Sequence, residues 1–253
     1  MIGYLPGRSP VHRAHPYTPL AVAAGLLLVV FAVDAPGAVW VVVAASALFA
    51  ATAGVLGAVL GPAALLALPT WALLTVLHGL LGGPPHVALG PVAFSVPGGE
   101  RALVFGGRLA AILLAFLTAL ATVSPARLVE AMTARGVRFR HVYLLVSTLT
   151  VVPRFRDRVR QIVDAQQCRG LRLGGSVLAR VRALGPLVVP LVLSALAEVD
   201  EQALALDVRG GRPDGRRTAL DPPADHGLDR AVRWAVLAVV VVAYGWKFAG
   251  AVR

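Results

Sequence analysis

The chain has 253 residues, 57% of them hydrophobic and only 15% charged, and its mean hydropathy of +0.75 is far above what a soluble domain of that length needs for its core. From Ala14 to Gly99 the only formally charged residue is Asp34, which leaves room for several spans at about 20 apolar residues each. Composition excludes a soluble globular protein and predicts an all-α polytopic membrane protein with about five transmembrane helices and long amphipathic cytoplasmic helices.

The lead-in MIGYLPGRSPVHRAHPYTP is short, basic and punctuated by proline, and it is read as cytoplasmic. Leu20 to Val33 is a first apolar run, and the Asp34-Ala35-Pro36-Gly37 turn separates it from a second, Ala38 to about Ala53. Both are somewhat short for a span. More apolar sequence follows, without a small-residue cleavage site and polar mature domain, which argues against a signal peptide. A third span lies within Val55 to Leu81, where Pro62 and Pro69 allow a kink or a break. Gly82 to Glu100 reads as a loop with an extended piece, Val92 to Val96, and Arg101 to Val123 is the clearest span. Residues 1–123 thus form a lead-in and four-span region, 124–229 a cytoplasmic helical region, and 230–253 a last span.

Four crossings from a cytoplasmic N-terminus return the chain to the cytoplasm at Ser124. The charge agrees. The net +11 comes almost wholly from arginine, because Lys247 is the only lysine, and between Ser124 and Ala183 twelve arginines face three acids. Such charge could serve nucleic acid, anionic lipid or the positive-inside bias of cytoplasmic loops; in a polytopic protein the last fits best, and no nucleic-acid partner is expected. Cys168 is the only cysteine, so an internal disulfide is excluded.

Ser124-Pro125 starts a helix well. After a connector at Gly136 to Arg140, a second helix runs through Pro153 to Gly170, with Phe155, Val159, Ile162 and Val163 at helical spacing and Arg154, Arg156, Arg158 and Arg160 around them. The apolar stretches Val142 to Val152 and Leu184 to Ala197 are too short for full spans. In a third helix Leu196, Val199, Ala203 and Leu206 form a stripe, while Glu198, Glu201 and Gln202 share another face. A polar loop, Gly210 to Asp229, leads to the last span, Ala231 to Phe248, with Trp234 and Trp246 placed as interfacial anchors.

Two Arg-Gly pairs, Arg169-Gly170 and Arg209-Gly210, close amphipathic stretches in this region. Glycine suits the left-handed helix cap, and arginine in the last turn faces the negative end of the helix dipole. Singly, such an end is most often only a well-capped helix, as at Ala134-Arg135-Gly136. What lifts the other two is the long amphipathic segment before each, in basic surroundings.

Catalytic motifs are missing. A P-loop needs Gly-Lys-Ser/Thr, and Lys247 lies between Trp246 and Phe248, so any ATP-driven work needs a partner. His12 and His15 have a metal-compatible spacing but no neighbouring ligand, and read as surface polar residues. His78 lies within a span, as a satisfied bundle-facing histidine or a transport ligand. HExxH, GxSxG and paired intramembrane carboxylates are absent. A secondary transporter would show inverted repeats and polar groups at mid-membrane. A lipid-modifying enzyme would need more than Asp157 and Asp164, for which salt bridges to nearby arginines are the simpler account.

The sequence resembles the transmembrane T component of energy-coupling factor transporters, the group that includes the cobalt-transport membrane subunit. SPVHRAHPYTPL is similar to that family's Ser-Pro-Leu-His-Arg-Leu-His-Pro motif, and Arg108 with the apolar run before TVSPARLVEAM resembles its fourth span and the start of its coupling region. IVDAQQCRGL, and VVPLVLSALAEVDEQALALDVRG with RRT, resemble its two Ala-Arg-Gly signatures, here reading Cys168-Arg169-Gly170 and Val208-Arg209-Gly210. The literal Ala134-Arg135-Gly136 falls where the family has a Gly-Leu-Pro connector, and Glu198 stands where a basic residue is common. The resemblance implies a non-catalytic subunit of the bacterial inner membrane, joining two cytosolic ABC-type ATPases to a small substrate-binding membrane subunit for uptake of a vitamin or of cobalt or nickel. It implies that Arg169-Gly170 docks on one ATPase and Arg209-Gly210 on the other, supported along the coupling helices by Pro153, Pro190, Gln166 and Glu201. ATP and Mg would be bound by the ATPases, with no cofactor or metal in this chain.

Overall fold

A computed structural model describes residues 4–7, 9–89, 92–171, 174, 177–208 and 224–251. The elements in chain order are α1 Pro10–Arg13, α2 Tyr17–Ala32, α3 Pro36–Thr52, α4 Leu56–Leu81, β1 His86–Leu89, β2 Val92–Ser95, α5 Val96–Thr122, α6 Pro125–Ala134, α7 Phe139–Cys168, α8 Val177–Val208 and α9 Gly227–Ala251. The fold is helical, with one short hairpin. Among the described residues α4, α5 and α9 are long and apolar enough to cross a membrane, and α2 and α3 are shorter apolar helices of 16 and 17 residues.

The chain forms two compact units, Met1–Leu128 with Pro223–Arg253, and Val129–Pro222. In the first, α5 is the central helix. Its small residues Gly106, Gly107, Ala111, Ala115, Ala119 and Ala121 are buried and let three neighbours approach closely, which is how helices associate where lipid removes the hydrophobic drive between them. Val30 of α2 and Val39 and Val42 of α3 pack on Ala111. Ala23 of α2 meets Ala115 and Ala119, and Ala50, Val55, Val59 and Ala63 meet Leu114, Leu117 and Ala121. Added methyls show how tight this is: at Gly106 one would overlap Trp71, at Gly98 the carbonyl of His78, and at Gly25 Val236 of α9. The last helix, a separate segment in sequence, therefore packs beside α2.

Several sequence expectations change. The fourth span begins at Val96, not Arg101, because Ser95 caps it by accepting the Gly98 N–H and Pro97 fits its first turn. The extended piece is strand β2, paired antiparallel with β1, His86 opposite Ser95 and Leu89 opposite Val92. Pro62 and Pro69 lie inside α4 without ending it, as apolar helices packed on neighbours tolerate. His78 is half-buried, its Nδ1 is 3.0 Å from the Leu74 carbonyl and its ring lies 5.7 Å from that of Phe105. That is the satisfied bundle histidine.

In the second unit α7 is unbroken through Pro153 over 30 residues, and α8 runs 32 residues with Pro186 and Pro190 inside it. The short apolar stretches are parts of these long helices.

Candidate coupling and docking site

The α7 end carries the first Arg-Gly pair in a complete cap. Gly170 adopts φ +91°, its N–H reaches the Gln167 carbonyl at 2.9 Å, and the Leu171 N–H reaches the Gln166 carbonyl at 2.9 Å. This is the paired bonding of a Schellman motif. Arg169 is the capping residue and is exposed, so its guanidinium stands off a fixed helix end. Gln166 supports that end through its carbonyl, which also accepts the Arg169 N–H at 3.1 Å. Cys168 is exposed. Arg209 and Gly210 lie outside the described residues; α8 is described to Val208, which is 88% exposed.

The α6 end has the same cap: Gly136 at φ +74°, its N–H on the Thr133 carbonyl and the Val137 N–H on that of Met132. Cap geometry alone does not separate the two ends. Length does, since α7 extends about 45 Å at 1.5 Å per residue and α6 has only 10 residues.

Where α7 and α8 meet, polar groups bond across the contact. Arg154 lies 3.8 Å from Glu198, the Gln202 amide donates to Glu198 at 3.2 Å, and the Tyr143 hydroxyl donates to Gln202 at 3.5 Å. Glu198, at a position expected to be basic, thus pairs with an arginine. A cleft of 580 Å³ beside this contact is lined by Arg154, Asp157, Arg158, Gln161, Ser194, Glu198 and Glu201. Asp157 lies 3.9 Å from Arg160, a weak exposed pair of the kind sequence suggested. Away from this contact much of the apolar surface of α8 is open: Val189, Leu193, Leu196, Val199 and Leu204 are each 57% exposed or more. Of the sequence-derived stripe, Leu206 is half-buried and lines a second cleft with Tyr143 and Val151. Pro190 is half-buried on α8, Glu201 is exposed, and Pro153 is inside α7.

Some residues that the sequence names one by one prove to be joined. Arg108, midway along α5, donates to the carbonyls of Val30 and Val33 at the end of α2 and to Asp34 at 2.6 Å, and Lys247 of α9 reaches the Phe31 carbonyl at 2.8 Å and Asp34 at 3.2 Å. The bonded Arg108 guanidinium holds the Asp34 carboxyl below its usual range; burial opposes this and Lys247 adds to it. The sequence names Asp34, Arg108 and Lys247 separately but not their pairing. His12 and His15 are 6% and 4% exposed, not surface residues, because the lead-in folds back onto α5. His12 has both ring nitrogens engaged, Nδ1 with Ser9 Oγ at 2.6 Å and Nε2 with the Leu5 carbonyl at 3.0 Å.

Residues 7–220 match the CbiQ family, described as cobalt transport protein. The chain is 32% identical over 192 residues to the energy-coupling factor transporter transmembrane protein EcfT of Heliobacterium modesticaldum, covering 71% of this chain and 72% of that one. It is 34% identical over 146 residues to EcfT of Limosilactobacillus fermentum, covering 54% and 55%. It is also 28% identical over 255 residues to a putative ABC transporter ATP-binding protein of Bifidobacterium longum, covering 94% of this chain but 31% of that longer protein.

Proposed function

The chain belongs to the CbiQ family of cobalt transport proteins, and we propose that it couples two cytosolic ABC-type ATPases to a small substrate-binding membrane subunit for uptake of a vitamin or a transition-metal ion. The observation that carries this reading is the long α7 with its exposed Arg169 fixed at a Schellman-capped end. A forked guanidinium held there suits an acidic groove on a partner, where bidentate bonding is favoured. Arg169-Gly170 meets one ATPase and Arg209-Gly210 the other. ATP-driven closure of the ATPase pair shifts both helix ends, and the open apolar side of α8 passes that motion to the substrate-binding subunit.

Catalysis and Mg-ATP stay on the ATPases, and this chain supplies no chemistry of its own. The Bifidobacterium relative supports an ATPase partner, since a protein named as ATP-binding contains a stretch similar to nearly all of this chain. The N-terminus and the α6–α8 region face the cytoplasm, in line with twelve arginines against three acids from Ser124 to Ala183.

Co-purification with an ABC ATPase pair tests the reading. Arg169→Ala and Arg209→Ala are each expected to weaken assembly by about tenfold or more, as loss of a charge-assisted bidentate contact does. Full assembly and uptake in both variants would remove these residues from the docking role.

A further inference from the structure

The Val129–Pro222 unit is inserted into the membrane unit and is joined to it at two points of the chain, after Leu128 and before Pro223. Residues flanking both points are held by one short stretch of the lead-in. Ahead of the insertion, the Arg127 guanidinium donates to the carbonyls of His12 and Arg13. After it, Asp229 Oδ1 accepts the His15 N–H at 3.3 Å and the Thr18 hydroxyl at 2.9 Å. Arg233, 3.5 Å from the Thr18 hydroxyl, grips Asp225 with bonds of 2.7 and 2.9 Å.

The stretch is itself fixed. The Leu5 N–H bonds the Ala121 carbonyl at 2.9 Å, Ser9 caps α1, and His12 closes the turn through both ring nitrogens. His12, His15, Thr18 and Asp229 are each 7% exposed or less. Buried polar networks with every member bonded are rigid, and losing one partner is costly. Such a network needs a reason to sit where the inserted unit begins and ends.

We propose that Ser9–Thr18 is a clasp that holds together, within the membrane unit, the point where the chain leaves it for the inserted unit and the helix α9 that begins after the chain's return, with Arg127 and Asp229 as its positioning residues. Force transmitted along the chain from Arg169 then meets a fixed exit and a fixed return within the membrane unit. The inference rests on the coupling role proposed above, and adds to it the fixed point that a lever requires.

The test uses the assembled transporter in vesicles, with cobalt(II) uptake per ATP hydrolysed as readout and Cys168→Ala as the parent. Adding Arg13→Cys and Arg127→Cys removes the guanidinium from the clasp and supplies two thiols that a short bis-maleimide can join. The open form is expected to lose about fivefold or more of its uptake per ATP while assembly with the ATPases is kept, the scale of a typical coupling free energy. Cross-linking is expected to restore it. Asp229→Asn keeps an acceptor oxygen and retains coupling, whereas Asp229→Leu loses it. Unchanged coupling in the open form, or no recovery on cross-linking, overturns the clasp. Failure of the parent to assemble with the ATPases counts instead against the coupling reading; failure only to take up cobalt(II) counts against a cobalt substrate, and the open and cross-linked forms are then compared with nickel(II).

Discussion

Gly170 and Gly136 occupy the same left-handed cap, at φ +91° and +74°, with open space around each. Alanine at either position meets no neighbour, so its cost is backbone strain alone, about 1–2 kcal/mol. The two glycines therefore form a matched pair in which the fold cost is shared and the location differs. Gly170→Ala and Gly136→Ala are expected to lower thermal stability in detergent to a similar extent, while only Gly170→Ala weakens capture of the ATPase pair. Equal capture by both variants would mean that the angle of the Arg169 end has no bearing on docking. The comparison also isolates what the literal Ala134-Arg135-Gly136 lacks. Its sequence is nearer the family signature than Cys168-Arg169-Gly170, and its cap is the same, but it closes a helix a third as long as α7.

Between elements, the close approach of α4 and α5 depends on Gly98 and Gly106 in different ways. A methyl at Gly106 meets the movable ring of Trp71, whereas one at Gly98 meets the backbone carbonyl of His78. Gly98→Ala is therefore expected to destabilise the membrane unit by about 1–3 kcal/mol and Gly106→Ala by less, read as thermal unfolding in detergent; the reverse order would show that the α4 backbone yields more easily than the Trp71 ring. The same junction shows where sequence reading stopped short. Glu100 and Arg101 made Arg101 look like the membrane boundary, yet Ser95 and Pro97 set the helix start by capping geometry. Strand β1 was hidden because His86–Leu89 follows Gly82-Gly83-Pro84-Pro85, a run of turn formers, and a four-residue strand leaves little periodicity to read. The continuity of α7 was legible because its apolar spacing carries past Pro153. The polar seam to α8 was not, because a stripe of Leu196 and Val199 predicts an inward apolar face, while Arg154, Glu198 and Gln202 decide the contact.

At the scale of the whole molecule, the docking assignment stands or falls on which side of the membrane Arg169 occupies. The single cysteine, Cys168, lies beside it and is exposed, so the native chain carries its own probe. On the proposed topology the arginine-rich stretch Ser124 to Ala183 is cytoplasmic, and crossings by α2 to α5 would return the chain to the side of its N-terminus. That topology would put the connection between α4 and β1 on the opposite side; Gly83 there is exposed and a side chain would meet nothing within 4 Å. A membrane-impermeant maleimide should label Cys168 in inverted vesicles and leave it unlabelled in intact spheroplasts. In a Cys168→Ala background, Gly83→Cys should show the opposite pattern. Of the helices between the two sites only α5 is long and apolar enough to cross a membrane, so the paired result also distinguishes a full crossing by α5 from a re-entrant path. Labelling of Cys168 from outside intact cells would put Arg169 beyond the reach of any cytosolic ATPase, whatever its cap geometry.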